Sequence, residues 1–513
     1  MGTNDPTSGT RPPRTVWLWM GGAAAVGALA ALLVMPAPPD TDVANGDPDL
    51  AAEVADLLPE DSAVGVSVAL IDGDEVTRAT LGTTDGSTPV QPDTAFETGS
   101  VQKTLTGTLL ADMVRTGDVE LDTTLDEIWT DVDFADDNVA GITLEQLATH
   151  HAGLPNIHSD IANFAALSLH NYFGTDPYRW ESDPVEAAAG LTDEGPNSDT
   201  GHSYSNLGFS LLGQSLAEVS GKDYPALLTE RVLEPLGMAE TTLLTSPEVP
   251  PNGAEPHRNP WIRVQPSFNP PNAPSGVGTW STSGDMVTLL RAGMAQDFPA
   301  LATAQEPRVR GNTDSSHDER VGLAWIRWNV NDTELTWHNG GTAGSRSYVA
   351  HTDDGRGVVV LANSARVPAD TIGLKLLDPD MPESDSSSNI PFLATALSYV
   401  FGAGAPFVVL LRMARQRVTS WTQQLDKVAV VGTLLTGAAL WTVSFRLGDA
   451  DLIPAVWAVG AGALAAAVPL GAWRWRGLPR TRGPRPWWRW IDLTVYLVLV
   501  AAVFTGTLWA LWW

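Results

Sequence analysis

The chain has 513 residues, a formal net charge of −30, nine histidines and no cysteine. Disulfides and lipoprotein attachment are thereby excluded, and so acidic a surface repels nucleic acid and anionic headgroups instead of gathering them. The length allows two or three domains.

In chain order, residues 1–15 form a short tail carrying Arg11 and Arg14, followed by an uncharged apolar run over 16–35. Twenty such residues suffice to span a bilayer. Pro36, Pro38 and Pro39 spoil a small-residue cleavage site, so the run reads as an uncleaved anchor, with a cleaved signal peptide as the rival. Residues 36–48 and 378–389 are Pro- and Asp-rich linkers. Four more apolar runs, 390–411, 428–445, 452–472 and 491–513, predict four further spans.

The flanking charges agree on one topology. Arg412, Arg415, Arg417 and Lys427 separate the second and third spans, and six arginines between Arg474 and Arg489 separate the fourth and fifth. Arg446 alone, beside Asp449 and Asp451, separates the third and fourth. The positive-inside rule then puts the N-terminus in the cytoplasm and the large middle region outside. That region holds 17 of the 30 Lys+Arg and 55 of the 60 Asp+Glu residues. Salt adaptation and high-GC codon usage both fit such an arginine-over-lysine, acidic composition. The spans carry almost no intramembrane charge, which speaks against transport.

Within 49–377, strands are predicted over 64–70 and 75–81, around the turn dipeptide Asp72-Gly73, and over 323–330, 334–338, 347–351 and 357–362. Between them the periodicity predicts helices over 101–115 and 207–219, ending at Gly117 and Gly221. Strands from both ends flanking helices imply an α+β domain: one antiparallel sheet closed by both domain termini, plus a helical lobe.

Three short motifs punctuate that domain: Ser100-Val101-Gln102-Lys103, Tyr204-Ser205-Asn206 and His338-Asn339-Gly340-Gly341. The chain has only four lysines, and Lys103 alone has a serine three residues before it. At a helix start, Ser100 lies in a field favourable to a developing anion, and Lys103, one turn on, shares its face. A lysine acts there as a base only with a depressed pKa. Tyr204 beside that amine can shuttle the proton; Asn206 either orients Lys103 and a substrate amide or merely caps a helix. Gly340 and Gly341, after a strand, allow a substrate carbonyl close to the backbone, so the N–H groups of Ser100 and Gly341 suit an oxyanion hole. The spacing of His150, His151, His158, His170 and His202 matches no zinc motif, so neither metal nor cofactor is expected.

These motifs resemble those of the serine β-lactamase-related family: class C β-lactamases, D-alanyl-D-alanine carboxypeptidases and esterase-like hydrolases. Two further stretches, Leu147-Ala148-Thr149-His150-His151-Ala152-Gly153-Leu154-Pro155 and Gly278-Thr279-Trp280-Ser281-Thr282-Ser283-Gly284-Asp285-Met286, share the likeness. The resemblance implies a β-lactamase/penicillin-binding-protein-like fold over 49–377. It also implies Ser100 as acylated nucleophile, Lys103 and Tyr204 as the proton-handling pair, and Asn206, His338, Gly340 and Gly341 as substrate-binding residues. His338 stands where such enzymes usually carry a lysine. A mostly neutral imidazole there weakens the case for a carboxylate-bearing substrate, unless Arg346 supplies the missing cation. The expectation is a membrane-anchored extracellular hydrolase of small esters, amides or peptides. The alternative is a ligand-binding sensor that stays acylated and signals through the helices.

The topology is directly testable because the chain has no native thiol. Ser386→Cys should be labelled by an impermeant maleimide on intact cells, and Thr481→Cys should not. The reverse pattern would invert the assignment.

Overall fold

The computed structural model describes residues 12–34, 41–59, 62–156, 174–179, 181–192, 201–311, 318–330, 333–381, 395–414, 425–447 and 453–480, with 491, 494 and 497. The chain divides into two units, one of 38–170 and 174–385, the other of 1–37, 171–173 and 386–513.

The first unit opens with β1 (Ala44–Gly46), α2 (Pro48–Leu57), β2 (Gly65–Asp72), β3 (Glu75–Gly82) and β4 (Phe96–Glu97), followed by α3 (Gln102–Thr116); α1 (Arg14–Leu33) belongs to the other unit. Next come β5 (Thr242–Leu243), β6 (His257–Asn259), β7 (Ile262–Arg263) and β8 (Thr279–Ser281). Last come β9 (Val309–Arg310), β10 (Asp318–Val321), β11 (Ile326–Val330), β12 (Thr333–Gly341), β13 (Arg346–Thr352) and β14 (Arg356–Ala362). Nine strands form one antiparallel sheet in the order β1-β3-β2-β14-β13-β12-β11-β10-β9. Strands from the two ends of the domain meet where β2 pairs with β14, so both domain termini close the sheet as the sequence predicts.

Alternation along the strands divides the core. Val66, Val68, Trp337, Tyr348, Val358 and Val360 face α2 and the helix Ala369–Leu377. Ala69, Ile71, Val349, Val359 and Leu361 face the helical lobe, where Leu105, Leu109, Phe209 and Leu212 complete a second cluster. The helices run close to their predicted bounds, α3 over Gln102–Thr116 and its neighbour over Asn206–Ser220. Gly117 and Gly221 end them at φ +80° and +67°, a conformation that costs glycine nothing. Strand β11 starts three residues later than predicted, because Ala324 turns the chain at φ +73°. Part of the residues read as a linker is ordered: Ala44–Gly46 pairs with β3, and Asp47 caps α2 by accepting from Asp49 N and Leu50 N.

Among the described residues, the second unit holds four helices long and apolar enough to cross a membrane: α1, Thr395–Ala414, Lys427–Phe445 and Pro454–Trp475. Small residues set their packing: Gly27 lies against Ala461 and Ala465, and Gly462 against Ala24. Trp441 and Trp457 stack at 4.1 Å, each indole N–H donating to the other residue's carbonyl. The fifth expected span, 491–513, falls almost wholly outside the described residues.

Candidate active site

Short strand β4 delivers the chain to Gly99, whose φ of +52° sets up a 3₁₀ turn, Gly99–Val101. Ser100 sits in that turn, just before α3 begins. Lys103 enters the first turn of α3 and is wholly buried. Its Nζ is 2.9 Å from Ser100 Oγ, 2.6 Å from Asn206 Oδ1 and 2.5 Å from the Ser275 carbonyl oxygen. Burial without a compensating carboxylate holds its pKa well below the ordinary lysine value.

Tyr204 approaches from the other side, its hydroxyl donating to Ser100 Oγ at 2.6 Å. Although 36% of the residue is exposed, its phenol end is enclosed, and that desolvation pushes its pKa up to about 12. Ser205, and not Asn206, caps the following helix, with Oγ accepting from Gly208 N at 2.8 Å. Asn206 is thereby free to turn its amide oxygen to Lys103. The segment rests on His150, a buried non-glycine residue at φ +60°. His150 Nδ1 accepts from Ser205 N, its carbonyl accepts from Ser203 N, and its ring lies 4.4 Å from that of Tyr204. Desolvation holds this imidazole neutral.

Strand β12 extends beyond the predicted end, through His338 to Gly341. Thr342 N donates to Ser345 O at 3.0 Å, so the Gly341–Arg346 pair falls in the non-hydrogen-bonded phase of the ladder. The Gly341 N–H therefore points off the edge of β12 that β11 leaves uncovered beyond Trp337. A Cβ on Gly99 would lie 2.7 Å from that nitrogen, and one on Gly340 would overlap the Thr98 carbonyl and Ser347 hydroxyl, 3.1 Å from Ser100 N. Gly99 and Gly340 thus let two backbone segments close on each other. His338, two residues before Gly340, shares its sheet face. It is buried, its Nδ1 lies 2.6 Å from the Asn339 carbonyl, and desolvation lowers its pKa to about 3.

Arg346 does not supply a cation to this face. It pairs with Gly341, points to the opposite side of the sheet, and donates from Nη1 to the carbonyls of Thr342 and Ser345 at 2.9 Å each. Its guanidinium fixes the β12–β13 turn. Of the histidines, His150, His151 and His202 cluster by ring contacts, while His158 and His170 lie outside the described residues. No group of three metal-ligating side chains occurs among the described residues.

A Ser–Lys–Tyr constellation built on a buried lysine, between an antiparallel sheet and a helical lobe, is that of a serine hydrolase of the β-lactamase type. The β-lactamase family profile matches residues 50–377, and the chain belongs to that family. Among characterised relatives, the D-alanyl-D-alanine-carboxypeptidase/endopeptidase AmpH of Escherichia coli K12 is 26% identical over 55% of this chain and 74% of its own. A β-lactamase of the same strain is 27% identical over 55% and 71%. Unguisins hydrolase ungD' of Aspergillus campestris is 25% identical over 62% of each chain. The fold is shared with a class C β-lactamase from Rhodobacter sphaeroides, with TM-score 0.51 at 23% identity over 64% of this chain and 99% of that one. The octameric penicillin-binding protein homologue from Pyrococcus abyssi gives TM-score 0.54 at 21% identity, over 64% and 76%.

The structure thus gathers Ser100, Lys103, Tyr204, Asn206, His338, Gly340 and Gly341 at one place. No sequence signal marks Ser275, which acts through its backbone, and His150 stands out in sequence only as part of the family-like stretch 147–155 and of a histidine cluster that fits no zinc motif. Nor does any signal mark Glu97, a carboxylate between Phe96 and the nucleophile turn.

The glycine contacts make a prediction. Gly340→Ala should slow fluorophosphonate labelling of Ser100 by more than about a hundredfold, since each oxyanion donor is worth about 10²–10³. Gly284→Ala, where a Cβ meets only Thr282 Oγ1 at 3.4 Å, should label at the parental rate. Equal rates for the two variants would show that close approach at Gly340 is dispensable.

Proposed function

We propose that this chain is a membrane-anchored, extracellular serine hydrolase that works through an acyl-enzyme on Ser100, with uncharged esters or amides as its preferred substrates. The observation that carries the reading is the hydrogen-bond chain from Tyr204 through Ser100 to Lys103. A neutral amine has two hydrogens and one lone pair. Asn206 Oδ1 and Ser275 O take the hydrogens, which leaves the lone pair facing the Ser100 hydroxyl. Tyr204, protonated because its pKa lies far above neutrality, donates to the same oxygen.

Acylation then follows. The bond from Ser100 Oγ to the substrate carbonyl carbon forms as the hydroxyl proton passes to Lys103. The N–H groups of Ser100 and Gly341 hold the oxyanion. The bond to the leaving group breaks, and Tyr204 gives that group its proton. In deacylation the same side chains move a proton from water, whose oxygen attacks the ester carbon and restores Ser100. Lys103 stays 5.0 Å from the centre of the Tyr204 ring, so the field of its ammonium favours a transient tyrosinate.

Substrate charge follows from His338. Its neutral imidazole brings no fixed cation to the nucleophile's side of the sheet, and Arg346 lies on the other side. Relatives are named for peptide and β-lactam hydrolysis, which supports amides among its substrates. Anchoring rests on the four apolar helices and orientation on the loop arginines.

Ser100→Ala should abolish labelling and ester hydrolysis. Lys103→Ala should abolish acylation, and Tyr204→Phe should lower kcat by about 10²–10⁴ with substrate binding retained. A Tyr204→Phe variant within about twofold of the parent would remove the tyrosine from the mechanism.

A nitrophenyl ester should be hydrolysed in preference to nitrocefin, with His338→Lys shifting the ratio toward nitrocefin by about ten- to a hundredfold, the worth of one charge-assisted hydrogen bond. Efficient nitrocefin turnover by the parent would overturn the neutral-substrate reading.

A further inference from the structure

Glu97 is completely enclosed, three residues before the nucleophile, and takes no part in the proton relay. Its Oε1 accepts from Ser267 N at 2.7 Å, and its Oε2 accepts from Thr342 Oγ1 at 2.5 Å. Thr342 immediately follows Gly341, the residue whose N–H faces the oxyanion. The hydroxyl of Thr342 is fully committed: it accepts from Ser345 N at 3.0 Å and Gly344 N at 3.3 Å, and gives its single hydrogen to Glu97. Beyond Glu97 the chain has no slack before Ser100. Thr98 N donates to Thr279 O at 3.0 Å, Thr98 O accepts from Ser347 Oγ at 2.6 Å, and Gly99 abuts the Gly341 backbone.

We propose that Glu97 is a positioning residue for the hydrolase: its carboxylate ties the segment carrying Ser100 N–H to the turn after Gly341 N–H, and so sets the spacing of the two oxyanion donors. The proposal rests on the serine-hydrolase reading above and adds to it a group that never touches substrate. Both carboxylate oxygens act as acceptors toward donors that have no other use for their hydrogens. A proton or an amide NH₂ on the Thr342 side would meet an oxygen already accepting twice, and the turn would have to shift.

Titration gives the device a direction. Besides Thr342, the side chains facing Glu97 are the Ser345 hydroxyl, Asp176, which takes Tyr178 N and Phe268 N, and the phenol of Tyr178. None brings positive charge. Desolvation, followed by repulsion from Asp176, raises Glu97 to about 7 against the hydrogen bonds that lower it. As pH falls through that value the carboxylate is protonated, the link to Thr342 is lost, and kcat should fall while KM for a neutral ester holds.

The test uses the full-length chain in detergent with nitrophenyl butyrate, and Glu97→Gln, Thr342→Val and their combination. Thr342 is only half-buried, so Thr342→Val keeps the question answerable if Glu97→Gln folds poorly. Each single variant should lower kcat about tenfold with KM within about twofold of the parent. The double variant should be no slower than the worse single one, because both cut the same link. The parent's acid limb near pH 7 should be missing from Thr342→Val. Unchanged kcat in the single variants, losses that multiply in the double, or a limb that persists in Thr342→Val and therefore belongs to another group, would each overturn the proposal. Fluorophosphonate labelling of Ser100 in the parent separates the two failures: no labelling defeats the hydrolase reading itself, and normal labelling with unaffected variants defeats only the role of Glu97.

Discussion

An amine held in a dry site without a counter-charge is the constraint around which this domain is organised. Lys103 reaches the nucleophile only because α3 runs through the helical core, where nearly every residue of its first three turns is buried. That burial is hard on an ammonium and easy on an amine. The partners the fold offers, an amide oxygen and a peptide carbonyl, are neutral acceptors that fix the direction of the amine without restoring its charge. A carboxylate in place of Asn206 would stabilise the protonated form and remove the lone pair from the serine. The neutral imidazoles of His150 and His338 follow the same rule on either side of the site, each desolvated and neither carrying a charge.

The second requirement is closeness of backbone to backbone, and the sheet topology provides it. Strand β12 outruns β11, so its last residues offer an unpaired edge inside the protein. An open edge is ordinarily a liability. Here the turn carrying Ser100 occupies it, and glycines at 99 and 340 permit a distance no side chain would allow. Arg346 holds the following turn from one face of the sheet and Glu97 from the other. A cation and an anion thus both serve geometry close to the reacting atoms, and neither meets the substrate.

Fold and site were legible in the sequence to different depths, for physical reasons. Alternating β-branched residues around Asp72-Gly73 and apolar spacing between Gln102 and Gly117 are local signals, and elements followed them closely. Ser100, Lys103 and Tyr204 were readable because their chemistry needs rare residue types at fixed spacing. What stayed hidden depends on tertiary direction. Whether Arg346 faces the nucleophile turns on the strand register, where a shift of one residue reverses the side. Asn206 is freed for Lys103 only because its neighbour Ser205 takes the cap. The role of His150 rests on a left-handed backbone and a ring contact, and Ser275 contributes an atom every residue possesses. Glu97 looked like any acidic residue in a chain with 60 of them.

On the function proposed above, that acidity and the neutrality of the site bear jointly on what the enzyme would accept. The strongly negative domain repels an anionic substrate at long range, and a neutral His338 offers it nothing on arrival. The two effects differ in their response to salt. Field repulsion is screened over about 10 Å at 0.1 M and over about 3 Å at 1 M, whereas a hydrogen bond missing from a desolvated cleft is not. High ionic strength would therefore relieve the approach of a carboxylate without improving its fit. A neutral acyl donor is indifferent to both terms. Under the proposed mechanism its discrimination would fall to Tyr204, Asn206 and the two backbone donors, which meet the carbonyl and leaving group rather than a distant charge. Selection in such a site depends on how well the reacting bond is held, so the spacing set by the clasp between Glu97 and Thr342 matters to specificity as well as to rate.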